Sequence, residues 1–125
     1  MTLLEEIARH LAFLGFGEVA DRERDGNIFL GRLPERDGLT LAVLAADAGV
    51  AGQAARIQIV VRSEKELEAF AVCQGMAEAL ADFEGYLMGY GRRVSVRVQN
   101  GAHGLGTDDR RRALYACNLT VRYCG

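Results

Sequence analysis

Apolar residues recur with two different periods along this chain, and the changes of period divide it into elements. Leu3, Leu4, Ile7, Leu11 and Leu14 fall at helical spacing. Thr2 precedes them with Glu5 three positions on, the pattern of a capping box, and Gly15 and Gly17 close the segment. A charged stretch, Asp21 to Gly26, reads as a solvated loop or weak edge. Asn27 to Pro34 predicts a short strand closed by the only proline, and Asp37-Gly38 signals a turn. Leu39 to Ala46 is nearly continuous in apolar residues, which predicts a strand covered on both faces. Asp47 to Gln53 is a loop of small residues. From Arg56 to Arg62 the period is two, with Ile57, Ile59 and Val61 on one side.

Ser63 and Glu66 form a second capping-box pattern, and it opens the longest predicted helix, roughly Glu64 to Met88. Leu67, Phe70, Cys73, Ala77 and Leu80 define its apolar face, widened by Met76, Phe83 and Leu87. Val94, Val96 and Val98 then alternate with Arg93, Ser95, Arg97 and Gln99 as a half-buried strand. Asn100 to Gly106 reads as a glycine-rich loop. A last strand from about Arg111 to Tyr123 places Ala113, Tyr115, Cys117, Leu119, Val121 and Tyr123 on one face. The order predicts a single α+β domain over 1–125. Its mostly antiparallel sheet of four to five strands carries an N-terminal helix and one long helix.

Composition narrows the function classes. The chain has 125 residues, 50% of them apolar, enough for a core without disulfides. No apolar run is long enough to span a bilayer, and Glu5, Glu6, Arg9 and His10 break any signal-peptide pattern, so a soluble, cytosolic protein with no membrane contact is expected. Cys73, Cys117 and Cys124 are odd in number and widely spaced, so no disulfide framework follows. Net charge of −2 argues against a general nucleic-acid-binding module. Lys65 is the only lysine; the remaining basic chains besides the two histidines are arginines, suited to bidentate carboxylate pairing.

Candidate chemistry is sparse. His10 lies among charged neighbours and is expected to be exposed, whereas His103 sits in the glycine-rich stretch close to Asp108 and Asp109. Catalysis at His103 would require Cys117 or Cys73 nearby, but the alternation turns Cys117 toward the core. A small ligand-binding or enzymatic domain built on the His103 loop is the rival reading. Two histidines and scattered cysteines make no zinc pattern, and the glycines lead into a strand rather than a helix, so neither metal, phosphate cradle nor other cofactor is expected. What stands out is Asp108-Asp109-Arg110-Arg111-Arg112 at the mouth of the last strand. Salt bridging, within the chain or across an interface, explains it better than cation binding, because the arginines would compete for the carboxylates. Arg92, Arg93 and Arg97 are a second basic group, expected in the same sheet.

Three segments carry a family resemblance. Asn27-Ile28-Phe29-Leu30-Gly31-Arg32-Leu33-Pro34 with the strand and small-residue loop after it, Ile57-Gln58-Ile59-Val60-Val61-Arg62 before a capped helix, and Leu105-Gly106-Thr107-Asp108-Asp109-Arg110 leading to Tyr115-Ala116-Cys117-Asn118-Leu119-Thr120-Val121 follow one another in order. Together they resemble the tailed-phage minor capsid and tail-terminator family over most of the chain. One departure is Glu35-Arg36-Asp37-Gly38, where the family often carries a second proline. The resemblance implies a non-enzymatic virion assembly protein, made in the host cytoplasm and residing at the head-proximal end of the tail. It implies a ring, commonly a hexamer, that caps the tail-tube protein and meets the head–tail connector, with DNA passing the lumen without specific binding. A head-completion or adaptor protein of similar fold is the neighbouring alternative. On this reading Asp108, Asp109, Arg110, Arg111 and Arg112 are the first expected subunit or tube contacts, and Arg92, Arg93 and Arg97 the second.

Overall fold

The structure, a computed structural model, describes residues 2–20, 25–46 and 54–123. The stretches 21–24 and 47–53, with Cys124, lie outside the described residues, so the predicted charged and small-residue loops are described only at their margins. The elements are α1 (Leu3–Phe13), β1 (Ile28–Leu30), β2 (Thr40–Ala45), β3 (Ala54–Ser63), α2 (Glu66–Leu80), β4 (Glu84–Tyr86), a 3-10 turn (Leu87–Gly89), β5 (Arg93–Thr107) and β6 (Ala113–Tyr123). Among the described residues no helix is long and apolar enough to cross a membrane.

The strands form one sheet in the order β1-β2-β3-β6-β5-β4. The domain is α+β, but the sheet has six strands and is mixed, because β1 pairs with β2 in parallel. The predicted turn between these strands is therefore a return path. Leu30 lies beside Val43 and Ile28 beside Leu41, so segment 31–39 must run back along the strand before β2 begins. Three paired residues span only about 10 Å, which a nine-residue segment covers without a helix. Its conformation is held from outside. Arg62 Nη2 donates to the Pro34 and Arg36 carbonyls, and the Gly38 N–H donates to Glu64 Oε1 at 2.9 Å.

Both helices pack on one face of the sheet. Ile7, Ala8 and Leu11 of α1 and Ala69, Cys73, Met76, Ala77 and Leu80 of α2 close over Leu41, Val43, Ile57, Ile59, Val61, Val94, Val96, Leu119 and Val121. Each large aliphatic chain so buried contributes roughly 1.5–3 kcal/mol. Leu41, Ala42 and Val43 are all buried, as the continuous apolar run predicts, but the cover on both faces ends there: Leu44 is half-buried and Ala45 and Ala46 are exposed.

Several expectations change. The long helix stops at Leu80, not Met88, because Ala81 is extended (ψ 123°) and Asp82 takes a left-handed conformation (φ 55°). Phe83 and Leu87 have helical spacing but enter the core from a strand and a turn. Leu67 and Phe70 are left outward, 83% and 42% exposed, so the buried face of α2 starts at Ala69. Thr2 caps α1 by accepting from the Glu5 N–H at 3.2 Å. Ser63 does not close a box with Glu66: its Oγ accepts from the Lys65 N–H and donates to Glu68 Oε2 at 2.7 Å. The glycine-rich stretch is not a loop. β5 runs through it to Thr107, and three irregularities absorb the extra residues, ten from Val98 to Thr107 facing seven from Leu119 to Ala113.

His10 is also a correction. It is buried, packed against the Phe13 and Phe83 rings, and its Nδ1 accepts from the Met88 N–H at 2.8 Å. That bond stabilises the left-handed backbone of Met88 (φ 56°). Burial lowers the His10 pKa below its ordinary value, so the ring is neutral.

Candidate functional site

The five-residue charge cluster forms the turn between β5 and β6, and its members have different fates. Asp108 organises the turn. Its Oδ1 accepts from the Arg110 N–H at 3.0 Å and the Arg112 N–H at 2.9 Å, while the Arg111 N–H donates to its carbonyl at 3.0 Å. Arg111 is thereby held at φ 62°, a left-handed conformation uncommon outside glycine.

Arg112 points inward and is 2% exposed. Its Nε donates to Asp108 Oδ2 at 2.7 Å, its Nη2 to Glu35 Oε1 at 2.8 Å and its Nη1 to the Arg36 carbonyl at 2.8 Å. Partial burial raises the Asp108 pKa, but the Arg112 N–H and guanidinium and the Arg110 N–H outweigh it and hold the carboxyl below its ordinary value. Desolvation likewise works against the Arg112 cation, and the Asp108 and Glu35 carboxylates more than offset it. Arg62, buried at the end of β3, grips the same 31–39 segment from beneath. The cluster is thus an internal hub joining the β5–β6 turn, the end of β3 and the return segment. Glu35-Arg36-Asp37-Gly38 falls within this hub, and its shape is fixed by the Arg112 guanidinium on Glu35 and the Arg36 carbonyl and by the Gly38 N–H on Glu64.

Asp109, Arg110 and Arg111 face outward. Arg110 lies 3.3 Å from Glu35 and 3.8 Å from Asp37, but all three side chains are more than half exposed, so these pairs contribute little. The first expected contact group therefore divides into Asp108 and Arg112, which shape the turn, and Asp109, Arg110 and Arg111, which it presents.

The second group is not brought to the first. Arg92 and Arg93 stand at the beginning of β5 and the Asp108–Arg112 turn beyond its end, fifteen strand residues away. Arg92 pairs with Glu6 at 3.0 Å and lies over the Tyr123 ring, and Arg93 pairs with Glu84 at 3.1 Å. Arg97 projects from the sheet face opposite the helices.

His103 is paired with Ala116 on β6, and its Nδ1 lies 2.9 Å from the Gly101 carbonyl. Cys117 points to the other face, buried with Cys73. The hydrogen bond to Cys73, followed by burial, pushes the Cys117 thiol far above its ordinary value, which removes it as a nucleophile near neutral pH. Among the described residues no three His, Cys, Asp or Glu side chains converge as a metal site.

Two surface features escape a reading by periodicity. One is a set of exposed apolar side chains. Leu67, Phe70 and Leu105 are exposed, Phe70 meets the Tyr115 ring edge-on at 5.5 Å, and that ring lies over Gly104, the residue before Leu105. Tyr115 in turn donates to Glu66 at 3.0 Å. The other is a strand edge. β4 pairs only with Arg93 to Ser95, so among the described residues no strand covers the outer edge of β5 from Arg97 to Thr107. Reading Asn100–Gly106 as a loop hid this edge; the alternating His103, Leu105 and Thr107 were the available signal.

No protein-family model matches the chain, and no curated protein matches it.

Proposed function

We propose that this chain is a structural assembly subunit of a tailed-phage-type particle, one that closes as a ring on the end of a tail tube. The observation that carries this reading is the edge of β5, uncovered among the described residues, on a domain that also exposes Leu67, Phe70 and, on β5 itself, Leu105. A long open edge is a template for strand addition, and natural domains usually shield one unless it is used. A ring needs two different, complementary patches on each subunit. A second apolar patch lies toward the other end of the sheet, where Phe13, Val19, Met88 and Tyr90 border a cleft of about 440 Å³. Head-to-tail contact between the two patches would close a ring; the resembling family favours a hexamer.

On this reading the partners are further copies of the chain, the tail-tube protein below and the head–tail connector above. Subunits assemble in the host cytoplasm and remain at the head-proximal end of the tail. Asp109, Arg110 and Arg111 are the charges offered to the neighbouring subunit or tube. Deleting the gene from the particle that encodes it should yield tubes of uncontrolled length by electron microscopy. Tails of normal length from that deletion would overturn the assignment.

A further inference from the structure

We propose that the open sheet face binds the phosphate backbone of double-stranded nucleic acid without regard to sequence. Among the described residues both helices cover the opposite face, and only the 31–39 segment lies over this one, at its Arg62 end. The other end is a polar plain. Strand register sets Thr120 between Arg56 and Arg97, and places Arg122 opposite Ser95. Two adjoining clefts of about 390 Å³ each share Gln99 and Thr120, and one or the other is lined by Arg56, Arg97 and Arg122. Among the described residues Asp82 and Glu84 are the only carboxylates lining them, and Glu84 is engaged by Arg93 at the margin. Among the described residues neither Arg97 nor Arg122 forms an ion pair.

The chemistry of the face selects the partner. Protein interfaces are anchored by aromatic or aliphatic side chains entering pockets. Among the described residues neither cleft is lined by an aromatic or exposed large apolar residue. Guanidiniums spaced among Gln, Asn, Thr and Ser hydroxyls and amides are the donors that phosphate backbones use, in interfaces that are polar and wet. The lack of a stacking platform favours a duplex over unpaired bases. The inference goes beyond the assembly reading and does not depend on it, since a lone subunit carries the whole face.

Fluorescence anisotropy with a labelled duplex of arbitrary sequence, about thirty base pairs long, tests it. With about two phosphates neutralised, by Arg97 and Arg122, affinity should fall roughly 12-fold between 50 and 200 mM salt. The double variant Arg97→Ala/Arg122→Ala should bind at least about tenfold more weakly with a shallower salt slope, its fold checked by circular dichroism. Lys65→Ala, an exposed cation just before α2 and away from this face, should bind like the wild type. No wild-type binding at 50 mM salt, equal binding by the double variant, or displacement of the duplex by poly-glutamate at lower charge concentration than by unlabelled duplex would each overturn the proposal. The last result would assign the face to an acidic protein instead.

Discussion

Arg112 Nη2 lies 2.8 Å from Glu35 Oε1, and the two residues are 77 positions apart in the chain. That contact ties the turn before β6 to the return path between two parallel strands. Arg112 is nearly inaccessible and also serves Asp108 and the Arg36 carbonyl, so its loss strands several polar groups at once. Arg112→Ala should lower the thermal midpoint by at least about 5 °C, the class of effect seen when a buried polar network is broken. Arg112→Lys should recover only part, because an ammonium cannot reproduce the forked geometry. Arg111→Ala should be near neutral. Thermal unfolding of the three variants checks this ordering.

Acid should weaken the protein in two stages. His10 is neutral and buried, with its folded pKa below the ordinary value of 6.5. Above 6.5 neither folded nor unfolded chain is protonated there; below it the unfolded chain takes up a proton that the folded chain resists. Stability therefore falls as pH drops from about 6.5 toward the folded pKa. Asp108, depressed by its hydrogen bonds, contributes stability above its ordinary value of 3.8 that is lost as pH falls through its folded pKa. Urea unfolding between pH 7.5 and 5 should show the first stage, and His10→Gln should flatten it.

The core was legible because alternation is a local signal. Ile57, Ile59 and Val61 face the helices as their spacing requires, and Cys117 and Leu119 follow suit. What sequence spacing could not show were features decided by distant partners. The extension of helix periodicity to Met88 failed because Phe83 and Leu87 fill the core equally well from a strand and a turn, once Asp82 reverses the chain. β1 could not be read as parallel, since its direction depends on a return segment gripped by Arg62 and Arg112. For the same reason Arg112 looked like a docking residue: a run of charges gives no sign that one member turns inward. His10 was misjudged from its neighbours in sequence, whereas its environment comes from Phe83 and Met88.

Gly91 has no room for a side chain. A Cβ there would stand 2.8 Å from the Leu87 carbonyl oxygen and 2.7 Å from the Glu6 carboxylate that holds Arg92. Gly91→Ala should cost about 1–3 kcal/mol, as overpacking does, measured by urea denaturation. The loss should be smaller when Glu6→Gln weakens the crowded ion pair.

Gly101 offers the opposite case on the open edge of β5. A Cβ there meets nothing within 4 Å, so Gly101→Lys should leave thermal stability within about 0.5 kcal/mol of the wild type. A lysine on a strand edge blocks further pairing. The variant should therefore fold normally yet fail to associate, which size-exclusion chromatography at high concentration would reveal.

The exposed apolar side chains and the β5 edge form the proposed adhesive surface, and sedimentation velocity of wild type against Leu67→Asp/Phe70→Asp tests it most directly. Both side chains are exposed, so the double variant should fold like the wild type. The wild type, titrated to millimolar concentration, should move from the 13.6 kDa subunit to a closed species several times that mass, while the variant stays at the subunit mass. A wild type that remains a single subunit throughout, or a variant that closes into the same species, would contradict the account.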